Sequence, residues 1–277
     1  MHRLQTLLTE LEADPLLEDQ DRLPFRLEVL DRIDACLPGV DDAALLARAQ
    51  ATCARLDGIN ATQYAATRAG IRAGNRAEHL PHWVRAPQTP TEQGNHYDFR
   101  DDWLSGVLGF GEPQAPTIEL SADMVFYQPT PVRHIVAMIA ASGLGEGDVL
   151  IDLGSGLGHV PLLAAILTRA RTIGVELEPA YVACAQQVAS SLNLVNASFV
   201  QGDVRDTDFS AGTVFYLYTP FKGALLRDVL DRLRAEAKRR PLRLCTFGPC
   251  TATLAGEPWL VAESLPETDR IAVFRTC

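Results

Sequence analysis

The sequence contains no apolar run that approaches the roughly 20 residues needed to cross a bilayer. Positive charge is also scarce, because 25 Lys and Arg residues face 35 Asp and Glu residues, a formal net charge of −10. That balance argues against non-specific binding of nucleic acid through its phosphate backbone. The six cysteines are scattered and form no Cys-x-x-Cys pair, which is typical of small core residues in a reducing compartment. These absences predict a cytoplasmic protein without a membrane partner.

The sequence also has no group of residues at the spacing of a metal site. The nearest approach is the set His79, His82 and His96, which Pro81 interrupts. No carboxylate or thiol completes a ligand set there. We therefore expect no metal centre.

The most informative segment is 149–161, where an apolar run ends at Asp152 and glycines follow at alternate positions. A buried parallel strand that leads through a glycine-rich turn into a helix is the nucleotide-binding start of a doubly wound α/β sheet. Glycine is needed because the turn is tight and a ligand must approach bare backbone. The helix start also offers unpaired N–H groups to an anionic group. The candidate ligand-contacting residues of this glycine turn are Gly154, Ser155, Gly156 and Gly158.

The spacing of the glycines decides between two classes of ligand. A dinucleotide fold requires Gly-x-Gly-x-x-Gly or Ala, and His159 holds the third of these positions, which argues against a nicotinamide oxidoreductase. The observed Gly-x-Gly-x-Gly, with an acid two residues before it, resembles the first motif of class I S-adenosylmethionine (SAM)-dependent methyltransferases. In that case Asp152, beside the N–H groups of the helix start, should stay ionised and support the cationic end of SAM.

Two further acids follow strand-like segments downstream of the glycine turn. Glu176 ends a β-branched segment about 20 residues on, where an acid can accept hydrogen bonds from both ribose hydroxyls. Asp203 follows the next such segment and can take the exocyclic amine of an adenine, and we count its neighbour Val204 among the cofactor-binding residues. Because the ends of parallel strands meet at one edge of a sheet, Asp152, Glu176 and Asp203 should face the same ligand.

Strand-like and helix-like segments alternate around this motif. Helices are predicted at 131–141, 179–193 and 224–240, and strands at 149–151, 172–176, 197–200, 213–217, 242–247, 259–262 and 271–275. The last two strands follow each other without a helix, as in a methyltransferase sheet with its antiparallel final strand. We predict an α/β fold, a seven-stranded, mostly parallel, doubly wound methyltransferase sheet with an N-terminal α-helical module.

The motifs within residues 125–225 are similar to those of the non-SET histone lysine methyltransferases of the disruptor-of-telomeric-silencing type. The likeness includes the glycine turn, Gly-Val-Glu at the second strand, Gly-Asp after the third, and Tyr127-Gln-Pro-Thr130 before the first sheet helix. The resemblance implies SAM as the cofactor, with Tyr127 and Thr130 closing over its methionine end. That family has two asparagines at the lysine channel, where this sequence has Tyr218 and Thr219. We assign Tyr127, Tyr218 and Thr219 as candidate catalytic residues that line the channel.

Three segments divide the chain. Residues 1–95 form the α-helical module, with helices predicted at 4–12, 24–36, 42–56 and 61–74 and a turn at Asp57-Gly58. Residues 96–130 are rich in aromatic residues and proline, and we expect this connecting segment to lie over the cofactor site. Residues 131–277 form the SAM-dependent methyltransferase domain.

The predicted site contains no obvious general base, since His134 falls on a helix and His159 in the glycine turn. That absence favours an amine acceptor, held in a dry channel, over a hydroxyl that needs a strong base. We expect methyl transfer to a protein side chain such as lysine. The alternatives are a catalytically inactive SAM-binding scaffold and a small-molecule or RNA methyltransferase, and the sequence leaves the oligomeric state open.

Overall fold

The computed structural model describes residues 2–74, 80–85, 94–111, 117–118 and 122–277. Its helices are α1 (His2–Ala13), α2 (Leu23–Cys36), α3 (Ala43–Arg72), α4 (His82–Arg85), α5 (Phe99–Leu108), α6 (Val132–Ser142), α7 (His159–Leu167), α8 (Pro179–Ser191), α9 (Gly223–Ala237) and α10 (Cys250–Ala255). Its strands are β1 (Val149–Leu153), β2 (Arg171–Glu176), β3 (Ala197–Gln201), β4 (Val214–Leu217), β5 (Arg243–Thr246), β6 (Leu260–Ala262) and β7 (Ala272–Thr276). None of the described helices combines the length and the apolar character that a bilayer crossing requires.

The seven strands form one sheet in the order β3-β2-β1-β4-β5-β7-β6. Strands β1 to β5 pair in parallel, and β7 runs antiparallel to both of its neighbours. The predicted seven-stranded, mostly parallel sheet is therefore confirmed. Strand order reverses between β1 and β4, and open sheets of this kind bind ligands beyond the carboxyl ends of the strands at such a point.

Each face of the sheet has its own apolar core. Successive residues of a strand point to opposite faces, so the neighbours Phe215 and Tyr216 on β4 enter different cores. Tyr216 lies in the core that includes residues of α5, α6, α7 and α8, and Phe215 lies in the core that includes residues of α9 and α10. Helices therefore cover both faces and leave the carboxyl edge of the strands for the loops.

The N-terminal module contains one long helix where two were predicted. Helix α3 continues through Asp57-Gly58, so the predicted turn is wrong. A single glycine costs a helix only about 1 kcal/mol, and tertiary contacts on either side outweigh that cost. The buried Arg26 of α2 donates to the Asn60 side chain of α3 at 2.6 Å and to the carbonyl of Leu17 at 2.7 Å, which fixes the course of the helix beyond Gly58.

The segment 96–130, for which the sequence predicts only a connection, contains the helix α5. A local signal was present, because Asp98 and Asp101 form a reciprocal capping box at its start. The Asp101 carboxylate also accepts a hydrogen bond from the Val132 amide at 2.8 Å, which joins the starts of α5 and α6. On α3, Arg68 donates to the Gly106 carbonyl of α5 at 2.6 Å. Helix α5 therefore links the N-terminal module to the sheet.

Alanine at two glycines of these helices, Gly106 on α5 and Gly58 on α3, should change the free energy of unfolding in opposite directions. A Cβ at Gly106 would overlap the Tyr64 ring, whereas a Cβ at Gly58 would meet nothing within 4 Å. We expect Gly106→Ala to lower the free energy of unfolding by about 1–3 kcal/mol, since it overpacks the contact. Gly58→Ala should raise it by about 0.5–1 kcal/mol, since alanine is the better helix former. Urea denaturation of both variants checks the contact, and equal shifts would contradict it.

Candidate active site

A cavity of about 970 Å³ opens at the carboxyl edge of the sheet. This is the upper end of the range for small-molecule sites, so it can hold two ligands of modest size. The predicted site residues that line it are Tyr127, Thr130, Asp152, Gly154, Ser155, Glu176, Asp203, Val204, Tyr218 and Thr219. Gly156 and Gly158 belong to the same turn but lie against Tyr127 and Phe199.

The glycine turn is a crowded backbone structure that only glycine permits. Gly154, Gly156 and Gly158 have φ values of 88°, 53° and 85°, in the left-handed region. A Cβ would overlap Pro220 at Gly154 and the Tyr127 ring at Gly156. The turn therefore offers a cradle of bare backbone, and Ser155 in it has a buried hydroxyl that finds no hydrogen-bond partner among the described residues.

Glu176 ties the glycine turn to the end of β2. Its Oε2 accepts the Gly156 amide at 2.8 Å, and its Oε1 accepts the Leu177 and Glu178 amides at 2.8 and 2.9 Å. A carboxylate oxygen accepts about two hydrogen bonds, so one position remains on Oε2. One ribose hydroxyl could therefore donate to Oε2, whereas Oε1 already accepts two amides.

Asp152 lies on β1 next to Gly174 and Tyr216 and is 3% exposed. Burial, and secondly the Glu176 carboxylate, raise the pKa of Asp152 well above its usual range. Burial and Glu176 therefore oppose the charged form of Asp152, whereas the sequence predicted that N–H groups of the helix start favour it. Two amides of the turn that follows β1 bind other groups, since the Gly154 amide donates to the Val175 carbonyl at 2.9 Å and the Gly156 amide donates to Glu176. A neighbouring cation would favour the charged form of Asp152.

Asp203 has a partner that the sequence analysis missed. Arg205 binds its carboxylate, with Nη2 2.6 Å from Oδ2, and holds the pKa of Asp203 below its usual value. The signal was local, since the two residues are only two positions apart. An adenine amine at Asp203 would share the carboxylate with Arg205.

Thr130 and Tyr127 occupy neighbouring walls of the cavity. The buried Thr130 hydroxyl lies 3.0 Å from the Tyr216 hydroxyl. Tyr216 is a further site residue that was not predicted from the sequence. Tyr216 is the β4 neighbour of Asp152 in the sheet register, which only the strand pairing reveals. The Tyr127 ring lies over Gly156, 5.2 Å from the Tyr181 ring, and its hydroxyl is 3.1 Å from His159 Nδ1.

The loop after β4 forms the other half of the cavity. Tyr218 packs on Phe247 with ring centroids 4.6 Å apart, and Phe247 packs on His134 at 4.1 Å. Thr219 has a φ of 40°, and its hydroxyl donates to the Phe247 carbonyl and accepts the Cys250 amide, both at 3.1 Å. The Thr219 side chain therefore joins the loop after β4 to the loop after β5, and the Tyr218 ring lines the cavity.

Two distant loops complete this half, and no local pattern in the sequence marks them. The Gly94 amide donates to the Asp269 carbonyl at 2.9 Å. The Gly94 carbonyl in turn accepts from Arg133 Nη2 at 2.6 Å and lies 2.7 Å from His134 Nε2. Both Gly94 and Asp269 line the cavity. Helix α6 thus holds the loop that faces Tyr218.

Within the described ranges, no three His, Cys, Asp or Glu side chains gather into a group that could hold a metal ion. His79, one of the three histidines considered above, lies outside those ranges. The donors that do meet at the cavity are carboxylates, hydroxyls and bare backbone, which fit an organic ligand with ribose and amine groups.

The sequence resembles known proteins over this part of the chain. Residues 144–238 match a family model described as a methyltransferase domain. No curated protein matches the sequence.

Several solved structures are similar to part of this chain. An RNA methyltransferase from Salinibacter ruber in complex with S-adenosyl-L-homocysteine is 25% identical, with 54% of this chain and 92% of that chain covered and a TM-score of 0.43. A putative RNA methyltransferase from Pyrococcus horikoshii is 16% identical, with coverages of 64% and 96% and a TM-score of 0.44. An rRNA methylase from Streptococcus thermophilus is 14% identical, with coverages of 55% and 98% and a TM-score of 0.39.

The matched family model spans β1 to α9, the part of the chain that carries the glycine turn and the acidic ends of β1 and β2. The strand order, with its antiparallel β7, is that of the predicted methyltransferase sheet. Residues 144–238 therefore form a class I methyltransferase domain, whose cofactor is S-adenosylmethionine.

Proposed function

We propose that this protein methylates an amine, with SAM bound on the glycine turn and the acceptor bound against the packed rings of Tyr218 and Phe247. Bound SAM supplies an electrophilic methyl group on a positively charged sulfur. The carboxylates of Asp152 and Glu176 and the backbone of Gly154 would hold it, since they adjoin one another at the ends of β1 and β2. The acceptor half lies toward β4 and β5, so the two ligands would meet at the point where strand order reverses.

The choice of an amine rests on the hydrogen bonds and the basicity of two histidines, His159, which lines the cavity, and His134, which packs behind Phe247. His134 lies 2.7 Å from the Gly94 carbonyl, and His159 lies 3.1 Å from the Tyr127 hydroxyl. Burial also lowers the pKa of His159 to about 4, which makes it a weak base at neutral pH. A hydroxyl acceptor needs a base in this place to take its proton during the transfer, whereas an amine that gives its ammonium proton to solvent as it enters the cavity already has a free lone pair.

The charges of the cavity support a cationic or neutral acceptor. Among the described residues that line it, Lys222 is the single Lys or Arg. The carboxylates there are Asp152, Glu176, Glu178, Asp203 and Asp269. A phosphate or carboxylate next to the reacting atom would be repelled by this set, while an ammonium would be attracted.

The chain's own contribution to catalysis would be positioning and exclusion of water. The ring of Tyr218 is half-buried, and Phe247 and His134 behind it are fully buried. An amine that packs on this stack loses water, which lowers its pKa and frees its lone pair. The hydrogen bonds of Thr219 and Gly94 fix the walls, so the acceptor can be held in a reactive orientation.

The acceptor is identified by transfer of a labelled methyl group. The protein is incubated with methyl-labelled SAM and a cell extract that is then separated into protein, RNA and small molecules. We expect label on nitrogen, on either a lysine side chain or a small amine, because both present the same nucleophile. Label on RNA would favour the RNA methyltransferase alternative, and SAM binding without any transfer would favour the scaffold. An ester or ether product would contradict the proposal.

Asp152 should make SAM binding depend on pH. Its pKa is raised in the buried site, and a cationic ligand favours the ionised carboxylate, so binding should release a proton and tighten as the pH rises. Asp152→Asn should weaken SAM binding by about 10- to 100-fold and remove this pH dependence. The loss for S-adenosylhomocysteine should be smaller, because its sulfur is uncharged. Calorimetry in buffers of different ionisation enthalpy measures both effects, and equal losses for the two ligands would contradict the role of Asp152.

A further inference from the structure

Tyr127 lies on a stretch of backbone that crosses the glycine turn without regular secondary structure. The stretch is tethered at its ends, where the Val125 amide donates to the Pro220 carbonyl at 3.2 Å and the Tyr97 hydroxyl donates to the Pro129 carbonyl at 2.9 Å. Between these tethers Phe126 is 85% exposed and Tyr127 is 37% exposed. The Tyr127 side chain is thus the group that fastens the middle of the stretch to the turn beneath it.

The hydroxyl of Tyr127 makes a directional contact with that turn. The hydroxyl oxygen lies 3.1 Å from His159 Nδ1, so the hydroxyl can donate its proton to that nitrogen. Burial keeps His159 neutral by lowering its pKa to about 4, so Nδ1 can accept. Phe110 packs on the imidazole at a centroid distance of 4.8 Å and holds its orientation. The bond therefore persists across the physiological pH range.

The position of this bond matters because of what lies under the Tyr127 ring. Gly156 has no side chain, and the ring occupies the space where a Cβ would be. Tyr127 also lines the cavity beside Ser155 and Glu176. A ring fastened in this way covers the glycine turn at Gly156.

We propose that His159 is a positioning residue that latches Tyr127 across the glycine turn and thereby slows release of the cofactor. The inference rests on the proposed function, because it takes SAM to be the ligand on the turn. Neither residue reacts in this account. His159 acts through Tyr127, and the latch is the hydrogen bond between them.

The test measures dissociation of SAM and of S-adenosylhomocysteine from the full chain by surface plasmon resonance. Tyr127→Phe and His159→Phe both remove the hydrogen bond and keep the rings. We expect each to speed dissociation of both ligands about 3- to 10-fold, with little change in the association rate. The double variant should dissociate no faster than either single variant, since both remove the same bond. His159→Gln, which keeps an acceptor, should be close to the wild type.

Tyr64→Phe is the matched control, because it removes the same hydroxyl from a ring that packs between α3 and α5, away from the cavity. Unchanged dissociation in both single variants, or effects that simply add in the double variant, would overturn the latch. If His159→Phe does not fold, the Tyr127→Phe and His159→Gln variants still decide. A wild-type protein that binds neither ligand would refute the proposed function as well, whereas tight binding with unaltered rates would refute the latch alone.

Discussion

The hydrogen bond from the Gly156 amide to the Glu176 carboxylate is the contact on which the site depends. It joins the turn after β1 to the end of β2, and the same carboxylate holds the first two amides after β2. Glu178, one of those residues, caps α8 and accepts the amides of Thr117 and Ile118 at 2.8 and 2.9 Å. Thr117 and Ile118 are thereby joined, through Glu178 and Glu176, to the glycine turn. A small set of charge-assisted hydrogen bonds thus orders backbone that has no regular structure of its own.

The backbone segments that line the two halves of the cavity contact one another. Met124 forms an isolated antiparallel bridge with Phe221, next to the hydrogen bond from the Val125 amide to the Pro220 carbonyl. Pro220 in turn lies where a Cβ of Gly154 would be. The loop that follows β4 therefore contacts the glycine turn on one side and the segment carrying Tyr127 on the other. A reaction that depends on holding an amine close to the cofactor gains from this rigidity, because misplacement of the two ligands would cost rate.

Local patterns predicted the sheet and the acids at its edge, because the glycine turn and the strand ends lie in short stretches of sequence. The capping box of α5 is equally local, because Asp98 and Asp101 lie within one turn of each other, so the sequence contained a signal for that helix. The continuity of α3 depends on Arg26, which lies 34 residues from its partner Asn60. Contacts of that kind follow from tertiary packing, and no local pattern predicts them. The same holds for the contact of Tyr127 with His159 and for the hydrogen bond from Gly94 to Asp269.

The most direct test of this account is calorimetric titration of SAM into the wild-type protein and into Glu176→Ala. We expect one SAM per chain for the wild type and an affinity about 10- to 100-fold lower for the variant, because a hydrogen bond to a charged group and the anchor of the glycine turn are lost together. Circular dichroism should show that the variant keeps its fold. Unchanged SAM affinity in a folded Glu176→Ala protein, or binding of NADH in place of SAM, would contradict the account.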